Sequence, residues 1–327
     1  MKMSEWVTAS ESQGLDPEIR QFAEALAAGY AAHETDTPIS IESRRAIAEA
    51  VRRPWVEGGP KMADVREHAV PDGNSTIRVR IYRPQDAGFG PALIYLHGGG
   101  WTIFSLDTHD RLMREYADRA GLAVIGVDFS LAPESRFPTQ LEECEAVLRW
   151  IGSQGATLGV SADRLAIGGD SAGANMALAT CLHMREREPG LMPSAMLLNY
   201  GAYDAGLIVA EEEPEHPDFT LTRAEMKEFW LNYLRDPADR FDPLANPAIA
   251  DLSGLPPALM IIAECDILLQ ENLRLARRMK DAGVAVEATV YPGATHSFLE
   301  AVSIARISDE ALSHSAAWLA ARLSQPG

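Results

Sequence analysis

The sequence predicts an α/β fold, a mostly parallel central sheet flanked by helices, and three observations carry that reading. Short runs that are apolar almost throughout recur at residues 92–96, 122–127, 165–167, 195–198, 258–263 and 286–290. Strands apolar on both faces belong in a parallel sheet that helices cover from both sides. Helical stretches alternate with these runs, for example at residues 138–150, 174–188 and 272–282. Strand–helix alternation is the pattern of βαβ units. Finally, 327 residues that are 46% hydrophobic and 23% charged suffice for one large buried core.

In chain order, residues 1–55 come first and are helical. Asp16-Pro17 reads as an N-cap followed by a proline in the first turn. Ile19, Phe22, Leu26 and Tyr30 then mark one helical face. A second helix is expected over residues 41–53, with Pro54 as its stop. Residues 67–70 and 77–82 predict an antiparallel edge joined by a turn at Asp72-Gly73. The alternation then proceeds to about residue 204. Residues 205–241 interrupt it, opening on a polar loop that includes Glu211-Glu212-Glu213. Thr222 and Glu225 follow at capping-box spacing, and Met226, Phe229, Trp230, Tyr233 and Leu234 share one helical face. These two helical pieces are expected to form a cap over the strand ends of a catalytic domain made of residues 56–204 and 242–327. Phe229, Trp230 and Trp101 are the apolar candidates for lining a substrate pocket, and each reads equally well as packing.

Charge and cysteine usage narrow the function classes. Lys and Arg number 29 against 47 Asp and Glu, a formal net charge of -18. That balance argues against nucleic acid and anionic membrane surfaces as partners. Cys144, Cys181 and Cys265 are far apart and form no C-x-x-C. They predict reduced thiols and no zinc site. The N-terminal segment Met1 to Trp6 leads into polar residues, and no long apolar run follows anywhere. The expectation is a cytoplasmic protein with no membrane span.

The chemistry is concentrated at strand ends. Gly169-Asp170-Ser171-Ala172-Gly173 reads G-x-S-x-G, after an apolar run and before a helical segment. A serine hydroxyl becomes a useful nucleophile when a sharp strand-to-helix turn exposes it beside a base and free amides. His97-Gly98-Gly99-Gly100 follows the run at 92–96. Glycines there let backbone N–H groups approach a developing oxyanion. Asp266 follows the run at 258–263, and His296 follows the one at 286–290. Together they complete the order serine, acid, histidine. His296 is the candidate base and Asp266 the candidate orienting acid, with Glu264 as a rival on the same strand. His97 and His109 precede the serine and fit that order poorly. His97 is expected to shape its own loop and His109 to be structural at a helix start. His33, His68, His183, His216 and His314 read as surface or packing residues.

With these motifs in order, the chain resembles the hormone-sensitive-lipase-like carboxylesterases of the α/β-hydrolase superfamily. The resemblance rests on His97-Gly98-Gly99-Gly100-Trp101, Ser105 to Asp110, Val127 to Glu134, Gly169 to Asn175, Ala263 to Asp266 and Gly293 to Phe298. It implies an α/β-hydrolase fold with a helical cap. It implies Ser171, Asp266 and His296 as a catalytic triad, with the amides of Gly98, Gly99 and Ala172 as an oxyanion hole. It further implies a serine carboxylesterase for short- to medium-chain acyl esters, with no metal and no organic cofactor. An amidase or carbamate hydrolase shares the same triad, and a non-catalytic small-molecule receptor is the more distant alternative. An edge strand near residues 286–290 offers a route to a homodimer. The chain departs from the family at Phe129-Ser130, where Tyr-Arg is usual, and at Ile267 and Gln270 in the acid loop. The first departure predicts a rebuilt polar network near Glu134.

Overall fold

The apolar runs pair into a single sheet. A computed structural model describes residues 14–35, 39–85, 87–210 and 219–324. The acidic run Glu211-Glu212-Glu213, His216 and the segment Met1 to Trp6 lie outside the described residues. The strands are β1 (Asp64–Asp72), β2 (Ser75–Arg83), β3 (Gly90–Leu96), β4 (Ala123–Asp128), β5 (Val160–Asp170), β6 (Ala195–Asn199), β7 (Ala258–Cys265) and β8 (Val286–Thr295). Their spatial order is β1-β2-β4-β3-β5-β6-β7-β8. From β4 to β8 every neighbouring pair is parallel. Only β2 runs against its neighbours, pairing antiparallel with both β1 and β4. The turn between β1 and β2 is Gly73-Asn74, one residue later than the sequence suggests, because Asp72 is still paired with Ser75. Gly73 takes a φ of 54°, which glycine adopts without steric cost.

The helices are α1 (Pro17–Ala31), α2 (Ile41–Val56), α3 (Asp110–Ala120), α4 (Thr139–Gln154), α5 (Ala172–Arg187), α6 (Arg223–Tyr233), α7 (Leu269–Asp281) and α8 (Arg306–Leu323). Strand β3 shows how they divide the core. Ala92, Ile94 and Leu96 face the layer built from α4, α5 and α7, whereas Leu93 and Tyr95 face α1, α3 and α8. That is the two-residue period of a strand covered on both sides. Truncating one of these residues, such as Ile94, to alanine removes about 2–5 kcal/mol of stability.

Helix ends follow local chemistry. Asp16 caps α1 by accepting from Glu18 N at 2.9 Å and Ile19 N at 3.3 Å. Thr222 and Glu225 form a reciprocal capping box on α6. Pro54 does not end α2, which continues to Val56. A proline removes one bond to the residue four positions back, and so close to the C-terminus that loss is tolerable. No helix among the described residues is long and apolar enough to cross a membrane. All three cysteines are free and buried.

Candidate active site

Ser171 occupies the sharp turn between β5 and α5, at φ 54° and ψ -118°. Such a conformation costs a non-glycine residue about 1–3 kcal/mol and persists only where surrounding structure imposes it. The flanking glycines explain how the turn fits. A Cβ on Gly169 would lie 2.2 Å from the Leu96 carbonyl oxygen, and one on Gly173 would lie 1.9 Å from the same atom. No larger residue leaves room for the glycine loop that follows β3.

Two other strand ends deliver the partners. Asp266 follows β7 and His296 follows β8. His296 Nδ1 donates to Asp266 Oδ2 at 2.7 Å, and His296 Nε2 lies 2.9 Å from Ser171 Oγ. All three residues are buried. Asp266 Oδ1 accepts from Leu268 N at 2.9 Å, which fixes the carboxylate despite the unusual acid-loop sequence. Glu264 plays a different part. It accepts from Gly293 N at 2.9 Å and so holds the loop that carries His296. Ser171, His296, Gly99 and Gly100 all line a cavity of about 350 Å³. Its walls come from α1 (Leu26, Tyr30), α2 (Arg52), α6 (Met226, Phe229) and the segment after β3 (Ile103, Phe104).

Known proteins resemble this chain in sequence and fold. A family model described as alpha/beta hydrolase fold matches residues 93–300. An ethyl acetate hydrolase of Pseudomonas putida is 34% identical over 311 residues, covering 91% of this chain and 96% of the relative. An acetyl esterase of Salmonella dublin is 34% identical, covering 88% of each chain. Among solved structures, a hyperthermophilic esterase from the archaeon Pyrobaculum calidifontis superposes with a TM-score of 0.85 at 32% identity, covering 94% of this chain and 99% of the other. The chain belongs to the α/β-hydrolase family of carboxylic ester hydrolases.

Within this α/β-hydrolase the structure corrects part of the sequence-based site. Gly98 N donates to Asp170 Oδ1 at 3.2 Å, so its amide is committed to a carboxylate and does not serve an oxyanion. The next two glycines, Gly99 and Gly100, line the cavity beside Ser171, as Gly98 does not. Gly100 escaped the sequence reading although it is the third glycine of the same motif. Trp101 and Trp230 do not line the cavity either. Both are fully buried; Trp101 stacks on Tyr233 at 4.2 Å and meets Trp230 at 4.5 Å between ring centroids. Phe229, one helical step of about 100° from Trp230, faces the cavity instead.

Asp170, the unspecified residue of the G-x-S-x-G pattern, is the hub of a buried polar cluster. It also accepts from Tyr95 Oη at 2.9 Å and from His109 Nε2 at 3.3 Å. Burial works against its charge, yet His109 and Tyr95 hold the carboxyl below the ordinary range. Burial likewise disfavours a proton on His109, and Asp170 nevertheless raises its pKa. His97 moves the other way. Burial, then the neighbouring His109, drives it down to about 3, and its Nδ1 donates to Gly98 O at 2.7 Å.

The Phe129-Ser130 departure is accommodated nearby. Ser130 N and Oγ donate to Glu143 at 2.7 and 2.6 Å, and Phe129 stacks on His97 at 4.3 Å. Glu134 is paired from another direction: Arg45 of α2 grips both its oxygens and also donates to the Thr102 and Ala132 carbonyls at 2.8 Å each. His183 pairs with Glu145, and His314 lies between Tyr291 and Glu287. His68 packs near Trp150, and His33 is exposed.

Proposed function

We propose that the chain hydrolyses short- to medium-chain acyl esters by two-step acyl transfer through Ser171. One observation carries the reading: a continuous hydrogen-bond chain from Asp266 through His296 to Ser171 opens onto a cavity of ligand size. Ser171 Oγ attacks the ester carbonyl carbon while His296 Nε2 takes its proton. Asp266 keeps the imidazole in the required tautomer and stabilises the imidazolium that forms. Charge moves to the carbonyl oxygen, where the amides of Gly99, Gly100 and Ala172 act as donors. Collapse of that intermediate breaks the bond to the alcohol, which leaves with the proton held by His296. Water then attacks the acyl-enzyme by the same route, releasing the acid and restoring Ser171.

Pocket size supports a small substrate. The cavity of about 350 Å³ lies near the lower end of the roughly 300–1,000 Å³ usual for ligand sites. The relatives named for ethyl acetate and acetyl esters point the same way. Helices α1, α2 and α6 act as the cap, excluding water from the reacting centre. Arg44 of α2 pairs with Glu228 of α6 and lies 5.3 Å over the Phe229 ring, which supports a joined cap. Three buried free cysteines support a reducing, cytoplasmic setting. The test is Ser171→Ala with a short aryl ester. Turnover should fall by about a million-fold with an unchanged circular dichroism spectrum. Retained turnover in a clean preparation refutes the assignment.

A further inference from the structure

One wall residue of the cavity has no part in the proposed chemistry. Arg52 of α2 is a cation with a side chain only 8% exposed, on the wall of a mostly apolar cavity that also holds Ser171. Its Nη1 lies 3.2 Å from Glu300 Oε2, and Glu300 is 4% exposed. That pair is poorly satisfied. Arg52 Nε and Nη1 and both Glu300 oxygens are buried without a hydrogen-bond partner. Buried donors are ordinarily bonded, and a native exception calls for an explanation.

The position of Arg52 relative to the reacting centre is informative. Its guanidinium carbon sits 4.9 Å over the Phe104 ring. Phe104 in turn abuts the glycine loop, since a Cβ on Gly99 would lie 2.8 Å from Phe104 Cδ2. One aromatic ring therefore separates the cation from the loop beside Ser171. Tyr30, also on the wall, interacts with the same guanidinium. A polar corner thus lines the same cavity as Ser171, across one aromatic ring from the glycine loop.

We propose that Arg52 selects substrates whose non-reacting part carries a neutral oxygen acceptor, such as a second carbonyl, a few bonds from the scissile ester. The proposal rests on the ester-hydrolase reading above and names the substrate class of that site. Glu300 decides between neutral and anionic groups. It already balances the charge of Arg52, so a carboxylate brought to this corner meets a carboxylate behind the guanidinium. A neutral acceptor takes the hydrogen bond without that repulsion.

The experiment compares a γ-keto ester with the isosteric γ-methyl ester and with the corresponding γ-carboxy hemiester. A hydrogen bond to a charged donor should favour the keto ester over the methyl ester by about tenfold in kcat/KM. The hemiester should show no such gain. Arg52→Met, and the charge-balanced double variant Arg52→Met with Glu300→Leu, should bring the keto-to-methyl ratio close to one. Arg52→Lys should restore part of it. A purely structural role would change stability and leave the ratio as in the native protein. An unchanged ratio in the double variant overturns the proposal, and so does a native enzyme that prefers the methyl ester or the hemiester. Binding of the same three esters to Ser171→Ala, by equilibrium dialysis, reads the preference without turnover. It should show the same tenfold order, and equal binding of keto and methyl esters also overturns the proposal. Turnover of none of these esters by the native chain, with the binding preference intact, counts against the hydrolase reading and not against Arg52.

Discussion

Ser171 shares its immediate surroundings with a second, non-reacting acid–base pair. Asp170 gathers Gly98 N, Tyr95 Oη and His109 Nε2, and so ties the nucleophile turn to the glycine loop. Gly98 leaves no room for a side chain at this junction. A Cβ there would lie 2.4 Å from Asp170 Oδ2 and 3.1 Å from the Asp170 carbonyl oxygen. Gly98→Ala is therefore expected to displace the loop that carries the proposed oxyanion donors. Its kcat on a short ester should fall about a hundredfold while KM changes little, as steady-state kinetics will show. Sequence could not separate the roles of these glycines. A glycine triplet announces close backbone approach, but which amides are free depends on a carboxylate arriving from the adjacent strand β5. The same holds for Arg52, whose neighbours Phe104 and Glu300 are far from it along the chain.

At the scale of elements, α6 shows both what spacing reveals and what it hides. Its capping box and apolar stripe were legible as residue patterns. Phe229 and Trp230, however, are consecutive and both apolar, and only packing divides them. Trp230 joins Trp101 and Tyr233 in a buried aromatic group, and Phe229 turns to the glycine loop. A Cβ on Gly100 would lie 2.1 Å from the Phe229 ring, so this side chain closes the space beside the loop. Phe229→Ala should enlarge the cavity there and raise the hexanoyl-to-acetyl ratio of kcat/KM about tenfold. It should also lower stability by about 3 kcal/mol in denaturant titration. Pro54 misled, since its effect depends on how few hydrogen bonds of α2 remain to be lost.

For the molecule as a whole, the fold class was legible because strands covered on both faces write themselves as unbroken apolar runs. The convergence at β5, β7 and β8 was legible only as an order of residue types, and distance along the chain carries no geometry. Stability against pH is another property of the assembled structure. Glu271 of α7 is buried and accepts from Tyr203 N at 2.6 Å. Burial pushes its carboxyl up to about 8 from 4.5. The folded state thus holds this proton more tightly than the unfolded chain does. The stability it contributes is complete below the unfolded value and is lost as pH rises through about 8. Glu271→Gln cannot ionise, so its Tm should fall less than that of the native protein between about pH 5 and about pH 9. An equal fall in both proteins removes Glu271 from that role. The meeting of three distant residues at one sheet edge is best probed by a fluorophosphonate, which reacts only with a serine activated by a base. Peptide mass spectrometry should find a single adduct, on Ser171, and none after His296→Ala. An unlabelled Ser171 in the folded native protein, or equal labelling without His296, would mean that the three side chains do not work as a unit.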